Sequence, residues 1–339
     1  MDLHVVWFIL LGALLAGYAV LDGFDLGVGI LHFLGRTDRD RRLFINAIGP
    51  IWDGNEVWLI TFGGALFSAF PMAYATIFSG FYTAFMALLF ALIFRAVSIE
   101  FRSKMTSARW RRAWDMGFFG SSLLAAFLFG VAVGNSLIGI PLTERGVFTG
   151  STMSLMSLYP LLAGLTVVAM FAMHGAIYLF LKIPKGEMQG RVRNWIWHTW
   201  GLFLVLYVLG SMYTLVAIPK AISNFQRHPW AAAMVIMNVL AVANIPRSVF
   251  LGKPFHAFVS SGSTIIALVF LFGMALWPNL VTASNDPAYS LTIYNASSSP
   301  RTLWIMFIIV LIGMPFVLSY TIAVYWTFRG RVELDEHSY

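Results

Sequence analysis

In GYAVLDGFDLGVGIL, residues 17–31, two acids interrupt a run that otherwise reads as a membrane span. An ionised carboxylate at that depth costs several kcal/mol unless it is paired, hydrated or protonated. Asp22 and Asp25 therefore imply a helix bundle with a polar path or partner inside it. They lie three residues apart and so share a helix face. Gly23 and Gly27 between and beyond them make a G-x-x-x-G spacing that lets a neighbouring helix approach closely.

Composition supports the membrane reading independently. Of 339 residues, 59% are hydrophobic and only 11% charged, where soluble domains carry about a quarter charged residues. A water-soluble core could not hide 30 Phe and 12 Trp, whereas lipid-facing helices need not hide them. Apolar stretches long enough to cross about 30 Å of hydrocarbon fall near residues 5–33, 51–71, 74–96, 114–136, 155–182, 196–218, 230–250, 256–279 and 302–328. The chain is thus expected to be an all-α polytopic protein, a single integral membrane domain over residues 1–339 with nine transmembrane helices. Spans two and three, joined at Phe70-Pro71-Met72, are expected to form an antiparallel hairpin.

Cytoplasmic loops are enriched in Lys and Arg. Arg36, Arg39, Arg41 and Arg42 follow span one; Arg95, Arg102, Lys104, Arg109, Arg111 and Arg112 follow span three. Lys182, Lys185, Arg191 and Arg193 follow span five, Arg247 and Lys253 span seven, and Arg329 and Arg331 span nine. The other loops hold Arg145, Lys220, Arg227 and Arg301 out of 22 basic residues. That asymmetry predicts an N-terminus outside and a cytoplasmic C-terminus. It also explains the +7 net charge as topology rather than nucleic-acid binding. The first span reads as an uncleaved helix, since residues 1–4 lack a basic n-region.

With no cysteine, disulfides, thiolate metal sites, iron–sulfur clusters and thiol catalysis are excluded. No P-loop, G-x-S-x-G or H-E-x-x-H element occurs, so nucleotide hydrolysis, serine hydrolysis and zinc proteolysis have no support. Seven histidines remain as candidate haem ligands. His4, His228 and His337 sit at span ends or in the tail. His32, His198 and His256 sit at cytoplasmic span ends, where histidine caps carbonyls or faces water. His174, in FAMHGAIYLF, lies well inside a span; packing or hydrogen bonding is weighed there above axial ligation. No axial pair is evident.

The densest local constellation is INAIGPIWDGNEVWLITFGGALFSAFP, residues 45–71, which puts Trp52, Asp53, Asn55, Glu56 and Trp58 in the first turns of span two. Proline before a helix start and acids in its first turn are what capping and the macrodipole favour. Alternatively, Asp53 and Glu56, three apart on one face, form the mouth of a proton path. Gly63-Gly64 permits close helix packing beside that face. For Asp25, Arg95 in LIFRAVSIEFRSK is the candidate ion-pair partner, with direct proton conduction as the other reading. Glu100 and Arg102 lie near, and Asp22 and Glu100 are candidates for a wider polar network.

GYAVLDGFDLGVGIL, IGPIWDGNEVWLITFGGALFSAFPMAYA, IEFRSK and SLTIYNASSSPRTLWIMFIIVLIGMPFVLSYT occur here in order. Together they resemble subunit II of the cytochrome bd family of quinol oxidases, from about residue 17 to residue 331. The resemblance implies two four-helix bundles plus one peripheral helix, paired with a similar subunit I. It implies a terminal respiratory oxidase of the bacterial cytoplasmic membrane that oxidises ubiquinol or menaquinol and reduces dioxygen to water, electrogenically and without pumping. In that family subunit I carries two haem b, one haem d and the quinol-oxidising loop. This chain would bind no haem through its own side chains. It would scaffold subunit I and contribute to a cytoplasmic proton path, among lipid, with small single-span accessory subunits and a bound quinone known in some members. Asp53, beside Trp52, matches the family acid at the path's entrance, and Asp25 with Arg95 matches a structural charged pair. Glu56 departs from members with Gln there, which tells against its part in the path. A secondary transporter and a purely structural membrane partner are the alternatives; a transporter should show repeat symmetry around a midplane site, and no clear repeat is visible.

Overall fold

Lipid offers the backbone no hydrogen-bond partner, so each apolar run must satisfy its own amides as a helix. The computed structural model, which describes residues 1–334 without the side chains of Lys220 and Ala221, follows that rule. Its helices are α1 (Leu3–Ile30), α2 (Asp38–Ile48), α3 (Trp52–Ala69), α4 (Pro71–Gly80), α5 (Tyr82–Phe101) and α6 (Ala108–Ile138). Then follow α7 (Leu158–Lys182), α8 (Glu187–Ala217), α9 (Pro219–Arg227), α10 (Ala232–Phe250), α11 (Pro254–Leu276) and α12 (Pro300–Thr327). After α11 a two-stranded antiparallel ribbon pairs β1 (Asn279–Val281) with β2 (Leu291–Thr292), Asn279 facing Thr292 and Val281 facing Leu291.

Among the described residues, eight helices are long and apolar enough to cross a membrane: α1, α5, α6, α7, α8, α10, α11 and α12. The ninth expected span is α3. It is 18 residues long, and its WDGNE opening leaves too short an apolar remainder to meet the same standard. The expected third span, 74–96, is not one helix either. Pro71 starts α4 in its first turn, the helix ends at Gly80, and Phe81 separates it from α5. A simple hairpin of spans two and three is therefore replaced by three helices in series.

α1 is the axis of the fold and packs against α3, α6, α7 and α11. Glycines set the closeness of its main crossing. A Cβ on Gly27 would overlap the Phe171 carbonyl, and one on Gly175 would overlap the Gly27 backbone, so α1 and α7 touch main chain to main chain. On the next pair, a Cβ on Gly130 of α6 would lie 2.6 Å from the Cα of Gly164 on α7. Gly63 and Gly64, expected to seat a helix, have nothing within 4 Å of an added Cβ; they face away from the bundle because α3 meets α1 through its other side. α12 is peripheral, with Leu303 its buried residue.

One end of the bundle is tied by charge. Thr37 and Asp40 form a capping box at the start of α2. Asp38 accepts from Arg102 at 2.8 Å and Arg111 at 3.0 Å, and Asp40 from Arg191 at 2.9 Å. Arg193 donates to the Phe250 carbonyl at 3.0 Å, and the Lys182 ammonium donates to the Gly330 carbonyl at 2.7 Å. The segments after α1, α5, α7, α10 and α12 thus share one end, as the basic-residue pattern requires.

Candidate functional site

Inside α1, both acids are fully buried. Arg95 reaches Asp22 from α5 with both ends of its guanidinium fork: Nη1 donates to Oδ2 at 3.0 Å and Nη2 to Oδ1 at 2.7 Å. Arg95 Nη2 also donates to Glu56 Oε1 from α3. The expected Asp25–Arg95 pair is therefore corrected to Asp22–Arg95. Bidentate pairing needs both carboxylate oxygens level with the fork, and α5 brings Arg95 level with the earlier of the two acids. Arg95, counted above among the loop cations, is a buried residue of α5.

Asp25 is held differently. Asn55 Nδ2 donates to its Oδ2 at 2.7 Å and to the Leu21 carbonyl at 3.1 Å. The Tyr325 hydroxyl of α12 donates to Asn55 Oδ1 at 2.9 Å, which fixes the way the amide points. Asp25 Oδ1 is buried without a hydrogen-bond partner among the described residues. Three helices thus meet at Asn55, and a neutral amide stands where Arg95 was expected.

Of the WDGNE block, Trp52 and Asn55 are buried, Glu56 is half-buried and Asp53 is exposed. Asp53 and Glu56 do not act as one face: Glu56 turns inward to Arg95, while Asp53 stays at the open edge of α3. Glu56, which family departure told against, is part of the charge cluster. Glu100 is half-buried near the end of α5.

The pattern of residues did not reveal Asp115, Tyr325 or the true setting of His32. His32 is buried rather than solvated: its Nε2 meets Asp115 Oδ1 at 2.6 Å, where Arg102 Nε also donates at 2.5 Å, and Arg41 donates to Asp115 Oδ2 at 2.9 Å. Asp115 could have been noticed as an acid flanked by Arg111 and Arg112 at a span start. Tyr325 carried no local signal. Outside the spans, burial raises Asp40 while the hydrogen bonds from Arg191, Thr37 and Arg36 outweigh it, leaving its carboxyl below the usual range.

A cavity of about 340 Å³ opens at the charged end, lined by Asn46, Tyr178, Lys182, Thr327, Arg331 and Glu333 among others. Tyr178 donates to the Ala47 carbonyl at 2.8 Å and stacks on Phe24, centroids 4.0 Å apart.

Neither buried histidine suits a haem iron, which needs a ring nitrogen with a free lone pair facing open space. His174 Nδ1 meets Ser261 Oγ at 2.7 Å and Nε2 meets the Val20 carbonyl at 3.0 Å, so both nitrogens are taken. Its ring is stacked on Phe258, centroids 5.0 Å apart. His32 Nδ1 has no hydrogen-bond partner among the described residues and lies beside the Phe44 and Phe118 rings. Among the described residues no group of three or more His, Cys, Asp or Glu is placed to hold a metal ion.

The family model for cytochrome bd terminal oxidase subunit II matches residues 3–328. The chain is 36% identical, over an alignment 365 positions long, to cytochrome bd-I ubiquinol oxidase subunit 2 of Escherichia coli K12, covering 98% of this chain and 96% of that one. It is 34% identical to cytochrome bd ubiquinol oxidase subunit 2 of Bacillus subtilis, with 99% and 98% covered. The solved bd oxidase from Geobacillus thermodenitrificans has the same fold, with a TM-score of 0.80 over 97% of this chain and 99% of that chain at 15% sequence identity. With eight membrane-length helices and kinship along its whole length, this is a multi-pass protein of the bacterial inner membrane, and it belongs to the cytochrome bd terminal oxidase subunit II family.

Proposed function

We propose that this chain is the haem-free subunit of an electrogenic quinol oxidase and carries part of the route by which cytoplasmic protons reach the oxygen-reducing centre. The observation that supports this most directly is the buried chain Tyr325–Asn55–Asp25 beside the Asp22–Arg95–Glu56 cluster. An apolar bundle has no structural need for so many ionisable groups, and intramembrane acids mark ion and proton pathways. The partner, subunit I, would hold two haem b, one haem d and the quinol-oxidising loop. Those groups supply the electron transfer. Each electron delivered to oxygen is matched by a proton from the cytoplasm, and each quinol proton leaves on the other side, so charge separates without a pump.

In this reading α3 is the ninth crossing, its polar opening lying at the cytoplasmic surface, and the helices form two four-helix bundles with α12 outside them. The N-terminus lies in the periplasm. Asp53, exposed at the start of α3, collects protons at the surface. Trp52 narrows the entrance, and Asn55 orients Asp25 without itself titrating. The Asp22–Arg95–Glu56 cluster fixes the local field. The apolar faces of α8 and α12 are left for lipid, subunit I or small single-span subunits.

The test has two arms. Isolated through a tag on this chain, the complex should show haem absorbance and a co-purifying subunit; a colourless stable monomer would sink the assignment. Asp53→Asn, which keeps the size but removes the titratable group, should then lower quinol oxidase turnover several-fold with haem content unchanged. Wild-type turnover and proton uptake in that variant would leave Asp53 as a first-turn acid of α3 with no part in the path.

A further inference from the structure

Asp22 and Asp25 belong to a longer stripe. On α1, Tyr18, Asp22 and Asp25 recur at i, i+4 and i+7, which puts them on one face, and Tyr18 is only 2% exposed. Its ring meets Phe129 of α6 edge-on, centroids 5.4 Å apart, so the hydroxyl is held in place rather than free to swing to lipid. The i,i+4 spacing sets that hydroxyl one helical turn from Asp22 on the same face, and it has no hydrogen-bond partner among the described residues.

Three buried polar atoms around the cluster have no hydrogen-bond partner among the described residues: Tyr18 Oη, Arg95 Nε and Asp25 Oδ1. Buried polar atoms in folded proteins are almost always satisfied, and where protein does not do so ordered water does, typically with two to four bonds per molecule. Here a phenol, a guanidinium N–H and a carboxylate oxygen border a single cluster, with donors and acceptors both represented. That is the polar lining that holds internal water.

Depth matters as well. Tyr18 lies twelve residues inside the Ile30 end of α1, or about 18 Å at 1.5 Å per residue, whereas Asp25 lies only about 7.5 Å inside it. A relay that ended at Asp25 would stop near the surface. One that reached Tyr18 would arrive about half-way across roughly 30 Å of hydrocarbon.

We propose that Tyr18 is the inner relay residue of the proton route, coupled to Asp25 by internal water held against Arg95 Nε and the Asp22 carboxylate. This rests on the proton-path reading above and extends it. In one transfer Asp25 gives its proton to the water as the water gives one to the Tyr18 oxygen, Tyr18 releases its own hydroxyl proton toward the oxygen-reducing centre of the partner subunit, and Asp25 takes up a new proton from the cytoplasmic side. The phenol and the water are regenerated, and the net change is one proton moved inward.

Tyr18→Phe tests it in the assembled, haem-loaded complex, since the ring and its Phe129 contact remain and only the hydroxyl goes. Turnover per haem should fall at least threefold, and the ratio of rates in H2O and D2O should rise as proton delivery becomes limiting. Asp25→Asn is the reference. If Asp25→Asn is slow while Tyr18→Phe keeps wild-type turnover per haem and isotope effect, the Tyr18 proposal is overturned and the route through Asp25 stands. If both variants match wild type, the proton-path reading itself falls. A Tyr18→Phe complex that is merely less stable or less abundant, with turnover per haem and isotope effect unchanged, also overturns the proposal, because a packing role would produce that result.

Discussion

Arg95→Ala removes the cation that faces Asp22 and Glu56. Both Asp22 oxygens accept from the guanidinium, at 2.7 and 3.0 Å, and both side chains are at most 1% exposed. Breaking a pair this dry from one side strands the other charge and typically costs about 3–5 kcal/mol. At about 1.4 kcal/mol per tenfold, that is roughly two to four orders of magnitude in the folded-to-unfolded ratio. Asp22→Ala should cost a similar amount, for the converse reason. The double variant loses both charges together, so its cost should fall short of the sum by about 1–3 kcal/mol. Asp25→Ala combined with Arg95→Ala should be much closer to additive, because Asp25 is held by Asn55 rather than by the guanidinium. Equilibrium unfolding in mixed micelles, with the yield of assembled complex as a second readout, supplies both double-mutant cycles. Strict additivity for Asp22 and Arg95, or a larger coupling for Asp25 and Arg95, would refute the pairing.

His174→Leu should leave the haem content of the complex unchanged while lowering stability by about 1–3 kcal/mol, the usual cost of stranding buried hydrogen-bond partners; loss of one haem per otherwise normal complex would contradict this. Gly175→Val forces side-chain atoms into the Gly27 backbone, so it should cost more than the ~1–3 kcal/mol of ordinary overpacking and be read as a collapse in assembled yield. The Asp40 carboxyl is held below its usual range by Arg191 and two backbone N–H groups acting against burial. The stability this supplies is complete above the ordinary carboxylate value, about pH 4, and is lost as pH falls further through the folded value. Unfolding midpoints followed from about pH 6 to about pH 3 should therefore drop more steeply in wild type than in Asp40→Asn; parallel curves would show that the Arg191 contact contributes nothing.

Long apolar runs determine helices directly, because lipid leaves the backbone no other partner, and α1, α6, α7, α8, α10, α11 and α12 were all legible for that reason. So were the clustering of basic loops at one end and the presence of something polar around Asp22 and Asp25. Where a run was interrupted by its own chemistry, at Pro71 or in WDGNE, length alone overcounted. The amphipathic α2 and α9 escaped notice because their patterns are short and polar. The partner of Arg95 belonged to another class of question. Asp22 and Asp25 differ by less than one helical turn, about 5.4 Å of rise, and no local pattern states how far α5 is displaced along α1. Packing decides that displacement: the Gly27–Gly175 crossing fixes α1 against α7, α6 packs against α7 through Gly130 and Gly164, and α5 packs against α6. The same offsets bring Tyr325 to Asn55 from 270 positions away and set Asp115 among His32, Arg41 and Arg102. Residue type and depth are properties of a segment and can be read from it; which charge meets which depends on the relative heights of helices, and only their packing against one another sets those.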